Sequence, residues 1–310
     1  MMRERMLKSV LIGLTETYCR QWNTIAVTRS TTSMRLAASK ASPMCSVHFS
    51  RACMVTIKTA EDIILLREGG ARLGKILSLL SKKIAPGLRT SKLEAEARRL
   101  IAEGGDTPSF LNYQPEGAKR SYPAALCVSI NDEVVHGLPG ERVIQSGDVV
   151  GLDLGLIHRK VFLDSALTVG VAPLSKLHTR LIKATREALE AGIRAVRAGV
   201  RTGDIGAAIA AVASREGFTV VRDLSGHGVG YAVHEDPVVP NWGKEGEGEP
   251  LYAGTVLAIE PMFTTGDQGV RIAEDGFTFV TKKGSVSAHF EHTVVVTEAG
   301  AEILTAFAKS

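Results

Sequence analysis

The sequence predicts an α+β fold made of two related halves, each with two helices followed by antiparallel strands. The main observation is a pattern that occurs twice: a His-x-x-Pro segment, then an apolar run ending in a carboxylate, then a second carboxylate entering another apolar run. A second observation is that two segments of helical periodicity precede each copy. Two such halves are expected to join their strands into one curved sheet, with the helices covering its outer face.

Four segments have the apolar spacing and the end signals of helices. Thr59, followed by acidic residues, is a good N-cap for the first, and Pro86-Gly87 is a stop signal. The junctions within the two helix pairs also match, since Gly87-Leu-Arg-Thr90 corresponds to Gly199-Val-Arg-Thr202. The predicted helices run from Thr59 to before Pro86, from about Thr90 to Gly104, from about Leu174 to Arg197, and from Thr202 or Asp204 to Gly217.

Short apolar runs follow each helix pair and predict strands. In the first half they are Ala124–Ile130, Asp148–Leu156 and Lys160–Val169. In the second half they are Thr255–Met262, Phe277–Thr281 and His289–Thr297. The Gly- and Glu-rich segment Asn241–Pro250 is expected to be a surface loop.

The 310 residues divide by charge into a basic N-terminal stretch and a nearly neutral remainder. Residues 1–53 contain eight Arg and Lys and two acids, a net +6, whereas the remainder holds 29 basic and 31 acidic residues, a net −2. A nearly neutral globular part does not suggest nucleic-acid binding. No apolar run reaches the length of a membrane span. Three of the four cysteines lie in residues 1–53, so no disulfide framework is expected and a reducing compartment fits best.

Residues 1–53 are predicted to lie outside the globular domain, which comprises residues 54–310. They are rich in Arg, Ser and Thr and poor in acids, which is the composition of an organellar transit peptide. The same composition fits a disordered extension, or an upstream start codon that is not used, because Met54 opens a sequence typical of a protein start. We favour the latter two interpretations, which predict a cytoplasmic protein. A transit peptide would instead direct the protein to a mitochondrion or plastid.

Four carboxylates in the repeated pattern predict a metal site. Two of them, Asp153 and Glu260, have a small residue two positions before them, Gly151 or Ala258, which leaves room for a ligand on that strand face. A single such acid is best explained as a strand-end partner of an arginine. Four acids at matching positions of two repeats need a common positive charge, which divalent ions supply. The four are Asp153, Asp164, Glu260 and Glu291.

Three histidines accompany these acids. His227 lies in a glycine-rich segment that predicts a turn; this segment lacks the lysine of a phosphate loop, and beside the acids His227 is a candidate metal ligand. The matching residue of the first half is Ser129, so an asymmetric site is expected. His136 and His234 are equivalent, and they are candidates for contacting a substrate carbonyl or a leaving amine. The alternative is that both are turn residues on the surface.

This donor set predicts the chemistry of a hydrolase. Carboxylates with one imidazole favour Mn, Fe(II) or Co over a structural thiolate zinc site. Two such ions would polarise a carbonyl and anchor a free amine. No Gly-x-Ser-x-Gly or Cys/His arrangement competes with this interpretation. Cys127, in an apolar strand, is expected to line a wall rather than to act as a nucleophile.

From about Met54 to the C-terminus, the chain resembles the type I methionine aminopeptidases, which have the pita-bread fold. The resemblance includes the Asp153/Asp164 pair and His234. The short spacing between His234 and Glu260 leaves no room for the subdomain that the type II enzymes insert. The longer shared motifs are Ser129-Ile-Asn-Asp-Glu-Val-Val-His-Gly-Leu-Pro139, Gly226-His-Gly-Val-Gly230, Ile259-Glu-Pro-Met262 and Ser287-Ala-His-Phe-Glu-His-Thr293.

The resemblance implies a metallo-exopeptidase that removes the N-terminal methionine of nascent peptides when the next residue is small. It implies two divalent ions, Co, Mn, Fe(II) or Zn, and a monomer with no DNA or membrane partner. The ribosome is a further candidate partner. The implied metal ligands are Asp153, Asp164, His227, Glu260 and Glu291, with Asp164 and Glu291 bridging the ions.

Catalytic and substrate-contacting roles also follow from the resemblance. His136 and His234 would contact the substrate, and Glu260 would relay the proton of the attacking water. Three further residues, Tyr122, Cys127 and Phe277, would help to line the pocket for the methionine side chain.

Some positions depart from the family pattern. Val135, Val233 and His289 stand where Cys, an aromatic residue and Gln are common, and the segment Leu111–Arg120 is longer than usual. These changes are expected to affect substrate fit and not the metal ligands. Two other interpretations are a prolidase or aminopeptidase P relative, which usually has an added N-terminal domain, and a non-catalytic binding relative, which typically loses ligands.

Overall fold

The computed structural model describes residues 55–115 and 118–307, so the predictions for residues 1–53 lie outside the described residues. All four predicted helices are confirmed, and the first ends about one turn earlier than predicted. The helices are α1 (Ala60–Ser81), α2 (Thr90–Glu103), α3 (Lys176–Ala195) and α4 (Thr202–Glu216).

Local interactions set the ends of these helices. Thr59 caps α1, since its hydroxyl accepts a hydrogen bond from the backbone N–H of Asp62 at 3.1 Å. The last helix, α4, ends at Gly217, which adopts a left-handed conformation with φ of 73°. Glycine tolerates this conformation without steric cost. None of the described helices is both long enough and apolar enough to span a bilayer.

The strands form one large sheet and two small ones. In chain order they are β1 (Thr107–Pro108), β2 (Leu126–Ile130), β3 (Glu133–Val135), β4 (Val149–His158), β5 (Val161–Gly170), β6 (Thr219–Val220), β7 (Ser225–Gly228), β8 (Glu235–Pro240), β9 (Val256–Ile259), β10 (Met262–Thr264), β11 (Val270–Ile272), β12 (Phe279–Thr281), β13 (Ser287–His289), β14 (Glu291–Val296) and β15 (Ala301–Ile303).

Both halves of the chain contribute to the large sheet. Its described strands follow the order β1-β4-β5-β14-β9-β7-β8, with β2 also paired to β4 and β15 to β14. The pairings are antiparallel. Because β5 belongs to the first half and β14 to the second, the seam between the halves runs between these two strands. The small sheets are β13-β10-β6 and β11-β12-β3. This arrangement confirms the predicted α+β fold with two halves that share a sheet.

The strand register places acidic side chains in a row across the seam. Cys127 of β2 pairs with Asp153 of β4, Asp153 pairs with Ala166 of β5, and Ala166 pairs with Glu291 of β14. Directly paired residues share a face of the sheet, and so does Asp164, two residues before Ala166. The small Ala166 side chain therefore lies between two carboxylates and leaves room between them.

The main apolar core lies on the other face of this sheet. Leu152 and Leu154, on either side of Asp153 in β4, belong to that core, and α1 packs against β4 and β5. Since successive side chains of a strand face opposite sides, Asp153 points away from the helices. A second, smaller apolar cluster, which includes Tyr122 and Phe279, surrounds the acidic side. The sheet thus separates a helix-covered core from a functional face.

Two predicted strands are each divided into two. The run 255–262 forms β9 and β10, separated by Glu260 and Pro261, and the run 289–297 is divided at Phe290, so that β13 ends before it and β14 begins after it. Proline has no N–H for a strand ladder, which accounts for the first break. The segment 241–250 is a loop as predicted, except that its first residue, Asn241, is completely buried.

The prediction of a turn at His227 is wrong, because this residue lies in β7 and pairs with Ala258 of β9. The glycines on both sides of it have a different cause. A methyl group on Gly226 would meet the backbone carbonyl of Ala258, and one on Gly228 would meet that of Asp236. The glycine-rich composition here reflects the close approach of neighbouring strands, not a change of chain direction.

Helix α1 also approaches another part of the backbone closely. A methyl group on Gly70 would meet the carbonyl of Leu304, and one on Gly74 would meet that of Ala306. A backbone carbonyl cannot move aside as a flexible side chain can. These glycines therefore let the segment after β14 lie directly on α1.

We expect Gly70→Ala to lower the thermal stability, although alanine is the better helix former by about 1 kcal/mol. The added methyl group overlaps the carbonyl of Leu304, and overpacking of this kind costs about 1–3 kcal/mol. The melting temperature measured by calorimetry should fall by several degrees. Gly140→Ala is the control, since a methyl group there meets nothing within 4 Å. An unchanged or higher melting temperature in Gly70→Ala would contradict the close packing.

Candidate metal centre and substrate cleft

The four carboxylates predicted from the repeat line one cleft at the seam, and none is more than 9% exposed. Asp153 and Asp164 come from β4 and β5, Glu291 begins β14, and Glu260 lies in the break after β9. Asn241 supports that break, because its Nδ2 donates a hydrogen bond to the Glu260 carbonyl at 3.0 Å. The interrupted strand therefore places its carboxylate beside those of the continuous strands.

Burial and mutual repulsion make three of these acids, Asp153, Asp164 and Glu291, hard to ionise. Burial raises the pKa of Asp153 and of Glu291 well above the usual range, and neighbouring carboxylates raise both further. Burial also raises the pKa of Asp164 to about 7. A cation at the seam would reverse these shifts, because a nearby positive charge favours the ionised form.

Several buried oxygen and nitrogen atoms at the seam, each able to bind a metal ion, have no hydrogen-bond partner within the described part of the chain. They are Oδ1 of Asp153, Oδ1 of Asp164, Nε2 of His227 and Oε1 of Glu291. Ligand atoms of Asp164, His227 and Glu291 lie within 4.8 Å of one another. Buried polar atoms are nearly always paired, and carboxylate oxygens and imidazole nitrogens are ligands that divalent ions take. The residues at the seam therefore fit a divalent ion.

His227 has the hydrogen bonding of a metal ligand. Its Nδ1 lies 2.8 Å from the carbonyl of Gly228, which can only accept, so Nδ1 carries the proton. Burial lowers the pKa of His227 to about 4, so the imidazole is neutral near pH 7. Its Nε2 lies 3.6 Å from Oε1 of Glu260. A neutral ring that donates from one nitrogen to a carbonyl presents the other as a ligand.

The strand register shows where the two halves of the site differ. His227 of β7 pairs with Ala258, and Ser129 of β2 pairs with Gly151. Ala258 and Gly151 each lie two residues before a site carboxylate, so His227 and Ser129 occupy equivalent positions. The Ser129 hydroxyl accepts a hydrogen bond from the backbone N–H of Gly137 at 3.1 Å. Ser129 therefore supports a loop, whereas His227 faces the carboxylates.

His136 is buried at the cleft in a left-handed conformation, with φ of 58°, which is uncommon for a residue other than glycine. Hydrogen bonds hold this backbone: Thr278 Oγ1 donates to the His136 carbonyl at 3.3 Å, and Tyr122 Oη donates to the next carbonyl, of Gly137, at 3.1 Å. Burial lowers the pKa of His136 to about 3, so its ring is neutral. The alternative interpretation, that His136 is a turn residue on the protein surface, is therefore wrong.

His234 is half-buried and also lines the cleft. Its Nδ1 lies 2.9 Å from Oη of Tyr113, and its ring lies edge-on to His227, with centroids 4.6 Å apart. Burial lowers the pKa of His234 well below its usual value, and His227 and His136 lower it further. The hydrogen bond at Nδ1 fixes the ring and leaves Nε2 as the nitrogen available to a substrate.

The cleft wall beyond the acids and histidines is apolar and aromatic. Tyr122 and Cys127 line it, whereas Phe277 is outside the lining and packs edge-on to Tyr122 with ring centroids 5.7 Å apart. Burial raises the pKa of the Cys127 thiol well above its usual value, so it is a neutral wall group.

Four further residues contribute that the sequence patterns did not indicate: Phe110 and Tyr113 line the cleft, and Asn241 and His289 contact Glu260. The sequence signal that could have indicated Phe110 and Tyr113 is their occurrence as two aromatic residues in a short, mostly polar segment. His289 was expected to affect substrate fit only. In the structure, His289 Nε2 is buried 3.6 Å from Oε2 of Glu260, whose other oxygen lies 3.6 Å from His227 Nε2.

Comparison with known proteins agrees with this geometry. Residues 65–298 match the model of metallopeptidase family M24. The methionine aminopeptidase of Clostridium perfringens is 42% identical over 252 residues, which cover 81% of this chain and 99% of that protein. Methionine aminopeptidase 1 of Bacillus subtilis is 39% identical over 252 residues, with the same coverage of both chains.

Solved structures show the same relation. The crystal structure of methionine aminopeptidase from Thermotoga maritima superposes with a TM-score of 0.78 at 40% identity, and the match covers 82% of this chain and all of that one. The prolidase from Pyrococcus furiosus, with a TM-score of 0.66 at 20% identity over 82% of this chain and 66% of that one, shares the pita-bread fold. The chain therefore belongs to metallopeptidase family M24 and, within it, to the methionine aminopeptidases.

Proposed function

We propose that this chain removes the N-terminal methionine from newly made peptides when the second residue is small. The observation that supports this function best is the set of buried carboxylate and imidazole atoms, unpartnered within the described residues, that converge on one cleft. Family membership supplies the reaction class, a metal-dependent exopeptidase. Relatives named methionine aminopeptidases, 38–43% identical over 81% of this chain and at least 96% of their own length, support the substrate.

We assign the binding of two divalent ions to Asp153, Asp164, His227, Glu260 and Glu291. Asp164 and Glu291 are assigned as the shared ligands, because they lie on the two strands that meet at the seam. Bound ions would polarise the scissile carbonyl and lower the pKa of the attacking water. The oxygen-rich donor set with one imidazole suits Co, Mn, Fe(II) or Zn.

The protein's own groups orient the substrate and move the proton. Glu260 lies between two imidazoles and faces the cleft, so we assign it the proton of the attacking water, which it passes to the leaving amine as the C–N bond breaks. His136 and His234, both neutral, are assigned as hydrogen-bonding partners of the substrate's peptide group. Their rigid backbone and side-chain contacts support this role, because positioning requires fixed groups.

The methionine side chain is assigned to the apolar part of the cleft. Phe110, Tyr122, Cys127 and Val135 provide that wall, and Phe277 supports it from behind. A flexible thioether fills an irregular apolar pocket well and makes favourable contacts with aromatic rings. The wall thus suits methionine better than a polar or charged first residue.

We further propose that residues 54–310 are the catalytic domain and that the protein acts in the cytoplasm, as a monomer, on nascent chains beside the ribosome. Alignments of 252 residues that span 99% of a relative support this domain length. The near-neutral charge and single cysteine of residues 54–310 fit a reducing compartment. A mitochondrial or plastid location is the alternative. Mass spectrometry of the mature N-terminus distinguishes a transit peptide from an extension.

Metal-loaded protein is expected to release methionine from a Met-Ala-Ser peptide and to leave Xaa-Pro peptides intact. EDTA should abolish the release and added Mn²⁺ should restore it, because the reaction needs the ions for charge stabilisation. Product release is measured by liquid chromatography. The Bacillus subtilis relative serves as the positive control. Absence of turnover in this protein, while the control turns the peptide over, would contradict the proposed function.

Replacing Glu291 by glutamine is expected to remove bound metal while keeping the fold. The variant loses a shared ligand, so kcat/KM should fall by more than about 100-fold. The neutral amide costs less to bury than a carboxylate, so the metal-free variant should melt no lower than the metal-free parent. Metal content is measured by plasma mass spectrometry. Glu298→Gln, an exposed position just beyond β14, is the matched control, and two retained ions in Glu291→Gln would refute the assignment.

Metal uptake by the metal-free protein is expected to weaken as the pH falls through about 7. The pKa of Asp164 is raised to about 7 and those of Asp153 and Glu291 are also raised, so at lower pH these acids hold protons that a cation must displace. Titration calorimetry with Mn²⁺ should show tighter binding, with fewer protons released, at about pH 8 than at about pH 6. Equal affinity at both values would contradict this account.

A further inference from the structure

Lys58 is a buried lysine beside the turn that carries His234. Its side chain is 1% exposed, and its Nζ lies 2.6 Å from Oε2 of Glu235, whose side chain is 9% exposed. Lysine is almost never fully buried unless it is paired. Glu235 directly follows His234 in the chain. The ion pair therefore lies next to a residue that the proposed function places at the substrate.

Both carboxylate oxygens of Glu235 are used within this turn. Oε1 accepts hydrogen bonds from the backbone N–H groups of Tyr231 and Ala232, the latter at 2.9 Å. Oε2 accepts hydrogen bonds from Lys58 and Thr56. The carboxylate thus joins the beginning of the turn to its end, and Lys58 holds the carboxylate in place.

A second contact ties the same turn to the start of α1. Tyr231 Oη donates to Oδ2 of Asp62 at 2.7 Å, and Lys58 Nζ lies 4.5 Å from the centre of the Tyr231 ring, a cation–π distance. Asp62 is fixed in turn by the hydroxyl of Thr59, the N-cap of α1, at 2.8 Å. The entry segment, residues 56–62, therefore holds the turn at two points.

The entry segment is itself anchored on the large sheet. Lys58 donates its backbone N–H to the carbonyl of Gly254 at 2.9 Å, and Ile57 forms a β-bridge with Thr255. Thr255 directly precedes β9, the strand that leads to Glu260. One stretch of backbone thus supports both the turn with His234 and the strand that ends at Glu260.

We propose that Lys58 and Glu235 are positioning residues that fix His234 relative to Glu260 for the reaction. This inference rests on the proposed function, which gives His234 a substrate contact. Without the ammonium group, the Glu235 carboxylate would be drawn towards solvent and would release the N–H groups of the turn. His234 would then keep its chemistry and lose its orientation, and orientation of a hydrogen-bonding group is worth large factors in rate.

A purely structural role for the ion pair predicts a different result. In that case its loss would lower the melting temperature. The measured rate would fall only in proportion to the fraction of protein that is unfolded. A positioning role predicts that kcat falls in fully folded, metal-loaded protein while KM stays within about twofold, because only the transition-state contact is lost. It also predicts that the effect disappears once His234 is absent.

The test is a double-mutant cycle on the full chain, loaded with two Mn²⁺ ions and assayed with Met-Ala-Ser well below the melting temperature. Lys58→Met keeps the length of the side chain and removes its charge, and we expect kcat to fall about 10-fold or more. In the His234→Ala background the same substitution should change kcat less than about twofold. Lys75→Met, an exposed position on α1, is the control and should match the parent.

Each result of this cycle decides something. If His234→Ala lowers kcat and Lys58→Met does not, the positioning role alone is overturned. The same holds if Lys58→Met lowers kcat equally with and without His234. An unaffected His234→Ala would overturn the role of His234 in the proposed function and the inference that rests on it. If Lys58→Met does not fold, Tyr231→Phe decides, with exposed Tyr252→Phe as its control. We expect at least about a threefold loss of kcat that depends on His234, and an unchanged rate would overturn the inference.

Discussion

The rest of the structure depends on the burial of four carboxylates at one seam between two strands. Each acid alone is costly to bury, and together they repel. Threonine hydroxyls strengthen the seam that holds them. Thr293 Oγ1 donates to the carbonyl of Asp164 at 2.6 Å and accepts from its N–H at 3.1 Å. Thr168 does the same for His289, at 2.6 and 3.0 Å. The Thr293 bonds thus join β5 to β14, where the register pairs few residues directly, and the Thr168 bonds join β5 to β13.

The same burial shifts the pKa values of acids and histidines in opposite directions. It raises the pKa values of the acids Asp153, Asp164 and Glu291 and lowers those of the histidines, among them His136 and His227. Without a cation, both the acids and the histidines of the site therefore favour their neutral forms. Neutral imidazoles are required both as metal ligands and as partners of a peptide group. A single physical cause, removal from water, prepares both kinds of residue, and a cation then restores charge only to the acids.

Much of the fold and the site could be predicted because periodic patterns report local geometry. Helical spacing located all four helices, and the repeat brought Asp153, Asp164, Glu260 and Glu291 together before their strands were known. The features that the sequence did not predict correctly depend on contacts between residues far apart in the chain. The glycines around His227 fit close strand packing as well as they fit a turn. Tyr113, Asn241 and His289 carry no periodic signal, and only the folded chain shows which group each one meets.

The equivalence of His227 and Ser129 has a consequence for the origin of the site. If the two halves were separate copies of one chain in a symmetric dimer, any substitution would appear twice, on both sides of the axis. Such a dimer would have a histidine at both of these equivalent positions or at neither. Joining the halves in one polypeptide allows each copy to change alone. One copy here keeps a serine that supports a loop, while the other presents an imidazole to the carboxylates. A histidine at only one of these two equivalent positions therefore requires both halves to belong to one asymmetric polypeptide, as they do here.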